Sequence, residues 1–279
     1  MRLENRTWTE EELFEKRKEV LSWWPTGKEV DLDEAIEYQK QLPEEQVFAK
    51  KLDKCKREGV IPIQVGLGHA TVEQTDDHRR LVEENGADLV WIQTDTYTRR
   101  RQYEKAQQGI EESKRTGESV LNGYPYVNHG VSNMRRLVNS MKVPALVTAC
   151  SDEEPMLSQE IAFAGGANAN LFQDLRQLLA HSKNYPLDKR IQNNQYNARL
   201  AAYYTEHGAP IECLVTGCIH GYVPSGIASA LAILQCLLIA EQGVRHISII
   251  TASLYNLVYD AANMRVCRSL ALEYLHRFG

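Results

Sequence analysis

The sequence predicts an α/β fold in which parallel strands alternate with helices, a (β/α) barrel-like arrangement that stops after five or six units and follows a helical N-terminal extension. Two observations carry this. After Gly59, short β-branched or apolar runs recur, each followed by an amphipathic stretch of helical length. Before Gly59 the pattern is helical throughout and no strand is visible.

In the extension, Thr9 and Glu12 have the spacing of a capping box, so a helix starts at Glu10. Asp31 and Asp33 are placed to cap a second helix, and Glu44 to Arg57 reads as a third. The expected strands are Ile61 to Leu67, Asp88 to Gln93, Ala145 to Ala149, Glu212 to Thr216 and His246 to Thr251, with a weaker one near Asn168 to Phe172. The expected helices between them are Gln74 to Asn85, Tyr103 to Thr116, Val131 to Met141, Asp188 to Glu206, Pro224 to Gln242 and Leu257 to Phe278. This divides the chain into a helical extension, 1–59, and a partial barrel domain, 60–279.

A complete (β/α)8 barrel takes about 250 residues with all eight units, and the extension leaves fewer than that here. An open parallel edge leaves backbone groups unpaired, so either a chain or second copy completes the barrel or the fold closes differently. In sheets and barrels of this type ligands bind beyond the carboxyl ends of the strands. The rim loops then carry Gly66-Leu67-Gly68-His69, Thr94-Asp95-Thr96, Thr148 to Ser151 and Thr216-Gly217-Cys218.

Composition excludes several classes. A net charge of −5 over 279 residues leaves no broad basic face for nucleic acid, and the run Arg99-Arg100-Arg101 is too short to make one. The apolar stretch from Ile227 to Ala240 contains Gln235 and falls short of the roughly 18 to 20 residues needed to span a bilayer, so it reads as a buried helix. The six cysteines are scattered and Met1 is followed by charged residues, which places the chain in the reduced cytoplasm. Gly66-Leu67-Gly68 has Thr71 where a dinucleotide fingerprint needs a third glycine. Cys213, Cys218 and His220 do not have zinc-site spacing, and no metal is expected. Tyr203-Tyr204 and Trp23-Trp24 read as packing residues.

The densest cluster of structurally demanding and polar residues is LNGYPYVNHGVSNMRRL, Leu121 to Leu137. Gly123 and Pro125 tighten a turn, and Asn128, His129 and Gly130 present an amide, an imidazole and a backbone without Cβ ahead of a helix. This segment resembles the large, epsilon-type subunit of adenosylcobalamin-dependent methylaspartate (glutamate) mutase. Five further stretches resemble the same family in the same order: Thr9 to Asp31, Asp95 to Ser113, Tyr203 to Gly208, Leu237 to Ile249 and Asn256 to Leu275.

The resemblance implies an isomerase component that holds adenosylcobalamin between its barrel and a small cobalamin-binding subunit. In the family, homolysis of the cobalt–carbon bond starts the radical rearrangement, and three arginines hold a dicarboxylic amino acid. Arg99 matches one of them. The other two places fall at Val65 or Gly66 and at Thr148; the family's glutamate falls near Asn170 or Leu171, and two tyrosines fall near Gln177 and His181. The resemblance thus assigns Arg99, Thr148, His181, Asn128 and His129 to the substrate, and Asn122, Gly66, Gly68 and Thr216 to the cofactor. The missing charges imply a substrate altered from glutamate, or a non-catalytic mutase-like subunit that serves as an assembly partner.

Overall fold

A computed structural model describes residues 6–150, 153–180, 184–217 and 223–278. The extension forms α1 (Glu10–Leu21), α2 (Leu32–Lys40) and α3 (Phe48–Glu58). There follow β1 (Gln64–Leu67), α4 (Val72–Glu84), β2 (Leu89–Ile92), the single turn α5 (Thr96–Arg99), α6 (Tyr103–Thr116), α7 (Tyr126–Ser140) and β3 (Ala145–Cys150). The chain continues through α8 (Met156–Ala164), β4 (Ala169–Phe172), α9 (Asp174–Ala180), α10 (Leu187–Glu206), β5 (Glu212–Thr216), α11 (Ser225–Ala240), β6 (Ile247–Ile250) and α12 (Leu257–Phe278).

The six strands form one parallel sheet in the order β1-β2-β3-β4-β5-β6. Every crossover returns to the next strand in sequence, the winding of a (β/α) barrel, whereas a doubly wound sheet reverses direction at a switch point. Among the described residues β1 and β6 each have a single strand neighbour.

Side chains alternate across a strand, and the packing follows that parity. Val90, Ile92, Val147, Phe172, Cys213 and Val215 join the helices in the main core. Leu89, Leu146, Ala169, Leu171 and Leu214 form a second cluster on the opposite, inner face, with Trp91 and Ile250 against it. Phe48 and Leu52 of α3 pack into that inner cluster.

The N-terminal helices are tied to the rest of the chain by charge as well as by apolar contact. Arg17 on α1 donates from Nε and Nη2 to the two carboxylate oxygens of Glu160 on α8 at 2.8 and 3.0 Å, and Tyr196 OH donates to the same carboxylate. Glu29 reaches across to the α7 region, accepting from Val131 N at 2.8 Å and Ser132 N at 3.3 Å. A helix N-terminus presents unpaired N–H groups, and this carboxylate caps them. Gly130 there has φ 72°, and a Cβ would meet the Glu29 carboxylate at 2.6 Å, so only glycine fits.

The predicted elements that differ do so for identifiable reasons. Thr9 and Glu12 close their capping box, and Asp31 caps α2 by accepting from Glu34 N. The first strand is shorter than Ile61 to Leu67, because Ile61 and Ile63 lie at the sheet's edge, 88% and 60% exposed. The helix expected from Val131 begins at Tyr126, continuing across the break at Gly130. Helix α8 escaped detection because it is buried on all sides and so lacks amphipathic periodicity. The expectation of a buried helix at Ile227 to Ala240 is corrected: Ala228, Ala232, Cys236 and Ile239 are buried, but Ile227 and Leu234 are each 51% exposed. Leu234 borders an apolar groove of about 1390 Å³, lined among others by Ile191, Leu238, Val266, Leu270 and Phe278. No described helix is long and apolar enough to cross a membrane.

Candidate functional site

The site is built at the carboxyl ends of the strands. Just past β2, Asp95 is fully buried and accepts from Tyr97 N at 2.9 Å and Thr98 N at 3.1 Å, which nucleates α5. Its carboxyl pKa is raised, chiefly because burial disfavours the charged form. Helix α5 presents Arg99, whose Nη2 donates to Thr96 Oγ1 at 3.1 Å. Asn122 meets the same threonine: Thr96 N donates to its Oδ1 at 3.0 Å, and its Nδ2 donates to Thr96 Oγ1 at 2.9 Å. Arg99 and Asn122, far apart in sequence, thus share one hydrogen-bonded group with Thr96.

The LNGYP segment reaches this position by lying along the continuation of β2, with Tyr124 N donating to Gln93 O at 2.7 Å. A Cβ at Gly123 would lie 2.6 Å from both Asp95 N and Gln93 O, so the segment approaches β2 this closely only as glycine. Gly68 serves the same packing: its Cβ would meet Gln93 O at 2.8 Å and Tyr124 N at 3.2 Å. Protein backbone fills the space that Gly68 leaves. At Gly66, by contrast, the nearest atom to a Cβ is Trp91 Cε3 at 3.9 Å.

Asn128 and His129 are engaged elsewhere. Asn128 Nδ2 donates to Tyr103 O at 2.9 Å and to Gln107 Oε1 at 3.3 Å, both on α6. His129 Nε2 lies 2.9 Å from Ala70 O and so carries the proton, with the ring stacked on Tyr124 at 4.6 Å. Burial lowers its pKa to about 4, so the imidazole is neutral at pH 7. Neither joins the Arg99 and Asn122 group.

Thr148 lies two residues before the end of β3 and Thr216 ends β5, and both are almost fully buried. Thr148 Oγ1 accepts from Thr94 N at 3.1 Å. Thr216 Oγ1 is buried with no hydrogen-bond partner among the described residues. His181, Cys218 and His220 lie outside the described residues. Asn170 turns to the helix side, its amide donating to Gln159 Oε1. No group of three or more His, Cys, Asp or Glu placed to hold a metal occurs among the described residues.

Of the basic run, Arg101 is held at the rim. It has φ 55°, pairs with Glu154 and sits 3.9 Å over the Trp23 ring of the extension.

Sequence reasoning missed Trp91 and Asp174. Trp91 Nε1 is buried without a hydrogen-bond partner among the described residues. Its signal was strand parity, readable only once the register with Leu146 is known. Asp174 opens α9, two residues past the end of β4, and is 1% exposed; Oδ2 accepts from Asn194 Nδ2 at 2.7 Å and Oδ1 has no partner among the described residues.

Burial raises the Asp174 pKa from 3.8 to about 6, with the Asn194 bond and nearby Arg190 opposing the rise. Below pH 3.8 the carboxyl is neutral in both folded and unfolded chains. As pH rises toward 6 the unfolded chain loses its proton first, so stability falls, and above 6 the cost is complete. Asp174→Asn is therefore expected to stabilise the protein by about 1–3 kcal/mol at pH 7 and by nothing near pH 3.5. Urea unfolding at the two pH values reads this; an equal effect at both would exclude titration as the cause.

With this geometry established, comparison with known proteins identifies the lineage. Residues 42–279 match the model of the methylaspartate mutase E chain family. The chain belongs to the methylaspartate mutase E chain family. It is 37% identical over 281 residues to the glutamate mutase epsilon subunit of Desulfitobacterium hafniense (strain Y51), covering 100% of this chain and 58% of that protein. The glutamate mutase epsilon subunits of Treponema denticola and Escherichia coli O157:H7 are 35% and 33% identical, with the same shares covered. The chain therefore spans 58% of the length of these relatives.

Proposed function

We propose that this chain is a component of an adenosylcobalamin-dependent carbon-skeleton mutase that rearranges an amino acid or related acid altered from glutamate. The observation that carries the reading is the Arg99–Thr96–Asn122 group at the carboxyl ends of a sequentially wound parallel sheet, in a chain of this family. Arg99 supplies a charged fork for one substrate carboxylate. At the other two arginine places stand Gly66 or Val65 and Thr148, which removes two such bonds, each worth about 1.5–3 kcal/mol.

The residues present fit a cobalamin at the rim. Asn122 is exposed there, and Thr216 offers a hydroxyl without a protein partner among the described residues. Gly68 contributes through loop packing rather than by leaving room. When bound, the cofactor supplies the radical chemistry. This chain's part is to hold and orient the acid and to exclude water above the apolar inner face of Leu146, Leu171 and Leu214. A small cobalamin-binding subunit is the partner. Further βα units pair with the β1 and β6 edges to close the barrel.

The test is affinity purification from the native host with adenosylcobalamin present. A co-purifying small chain with an Asp-x-His-x-x-Gly motif, together with cobalamin absorbance, is expected. Recovery of the protein alone and colourless would overturn the reading. It would favour a non-catalytic assembly subunit, for which the loss of two arginine places is the specific support.

A further inference from the structure

Resting on that reading, we infer that Arg101 is a positioning residue: clamped between the Trp23 ring and the Glu154 carboxylate, it holds the single turn α5 so that Arg99 presents its guanidinium to a substrate carboxylate. The argument begins with the backbone. Gln102 N donates to Tyr97 O at 2.9 Å and Arg101 N to Thr98 O at 3.2 Å, the bond pair of a Schellman motif that closes the end of α5. The motif needs a left-handed residue at the position that Arg101 fills, and Arg101 has φ 55°. Glycine is the usual occupant, because it has no Cβ to crowd the carbonyl. An arginine held in this conformation against its own preference points to a use for the side chain.

That side chain has two partners far away in sequence. Its Cζ lies 3.9 Å over the ring of Trp23, just past α1, and its Nη1 donates to Glu154, just ahead of α8. The ring face attracts the cation, and the carboxylate fixes the plane of the fork. One guanidinium therefore joins the N-terminal segment to the loops that follow β2 and β3. Trp24 makes a second contact beside it, edge to face with Tyr103 at the start of α6, the centroids 5.3 Å apart.

The consequence falls on Arg99. Helix α5 has four residues, and isolated helices shorter than about 12–15 residues are marginal in water, so the turn keeps its shape only through what grips its ends. Asp95 and Asn122 grip the start. Arg101 grips the finish, two residues beyond Arg99, the last residue of the turn.

The test leaves the α5 sequence untouched. In the double variant Trp23→Leu with Glu154→Gln both partners of Arg101 are lost, while leucine keeps apolar packing and glutamine keeps the side-chain shape. Hydrogen exchange read by mass spectrometry over residues 96–103 is expected to run at least about tenfold faster than in the parent, with β4 and β5 at the parent rate, which separates local loosening from a general loss of stability. L-glutamine keeps one carboxylate on the glutamate skeleton, the number that Arg99 alone can take. Calorimetry should show it bound roughly three- to tenfold more weakly by the double variant, as for a binding group that is present but misplaced. Trp23→Phe, which keeps a ring face under the cation, should bind within about twofold of the parent.

Parent-like exchange over residues 96–103 in the double variant would overturn the inference, as would faster exchange with unchanged affinity, since Arg99 would then not depend on the clamp. A Trp23→Phe variant as weak as the double variant would also overturn it, by making the bulk of the indole the requirement rather than its face. Failure of the mutase reading shows separately: Arg99→Ala then binds L-glutamine like the parent, and the cobalamin-binding chain is absent from the purified complex.

Discussion

Glu160→Ala is expected to lower the unfolding free energy by about 3–5 kcal/mol. The Glu160 side chain is fully buried and accepts two bonds from Arg17, whose own side chain is 10% exposed, and a third from Tyr196. Removing the carboxylate leaves a guanidinium in the core without its counterion: burial pulls the Arg17 pKa down, and in the native protein the charge and hydrogen bonds of Glu160 outweigh it and hold the pKa raised. It also detaches α1 from α8. Urea unfolding followed by circular dichroism measures the loss. The double variant Arg17→Met with Glu160→Leu should recover most of it, because a buried ion pair replaced whole by apolar groups is often near neutral. A single variant within 1 kcal/mol of the parent would show that the pair does not anchor the extension.

Arg99→Ala is expected to weaken binding of a carboxylate-bearing ligand roughly 10- to 100-fold, the loss of a charge-assisted hydrogen bond pair. Its effect on the unfolding midpoint should be small, since α5 is held by the Asp95 cap and by the Thr96 contact with Asn122. Arg99→Lys keeps the charge but loses the planar fork, and should fall between the two. Titration calorimetry with L-glutamine separates the effects. An Arg99→Ala variant that binds normally would remove the residue from the site and return it to the solvated basic run.

Much of the fold was legible because it rests on local rules. The Thr9 and Glu12 capping box, the helix from Tyr103 to Thr116 and the strand from Glu212 to Thr216 stand in the structure where side-chain pattern placed them. Their sequences agree with their surroundings: a cap side chain, a 3.6-residue apolar period, a short run centred on apolar residues. Helix α8 and the weak strand β4 were hard for the opposite reason. Both are buried on every side, so no solvent-facing residues mark their period.

The candidate site divides along the same line. By itself the sequence determined the rim: glycines where backbone approaches backbone, Asp95 before a helical turn, and the family words that single out Arg99 and Asn122. Only the tertiary structure decided which side chains share a space. It joined Arg99 to Asn122 through Thr96, and it gave Asn128 to α6 and His129 to Ala70. It also set Trp91 and Thr216 on the inner face. The physical reason is that a strand's parity is local, but which parity faces inward depends on register with its neighbours and on what α3 and the outer helices cover.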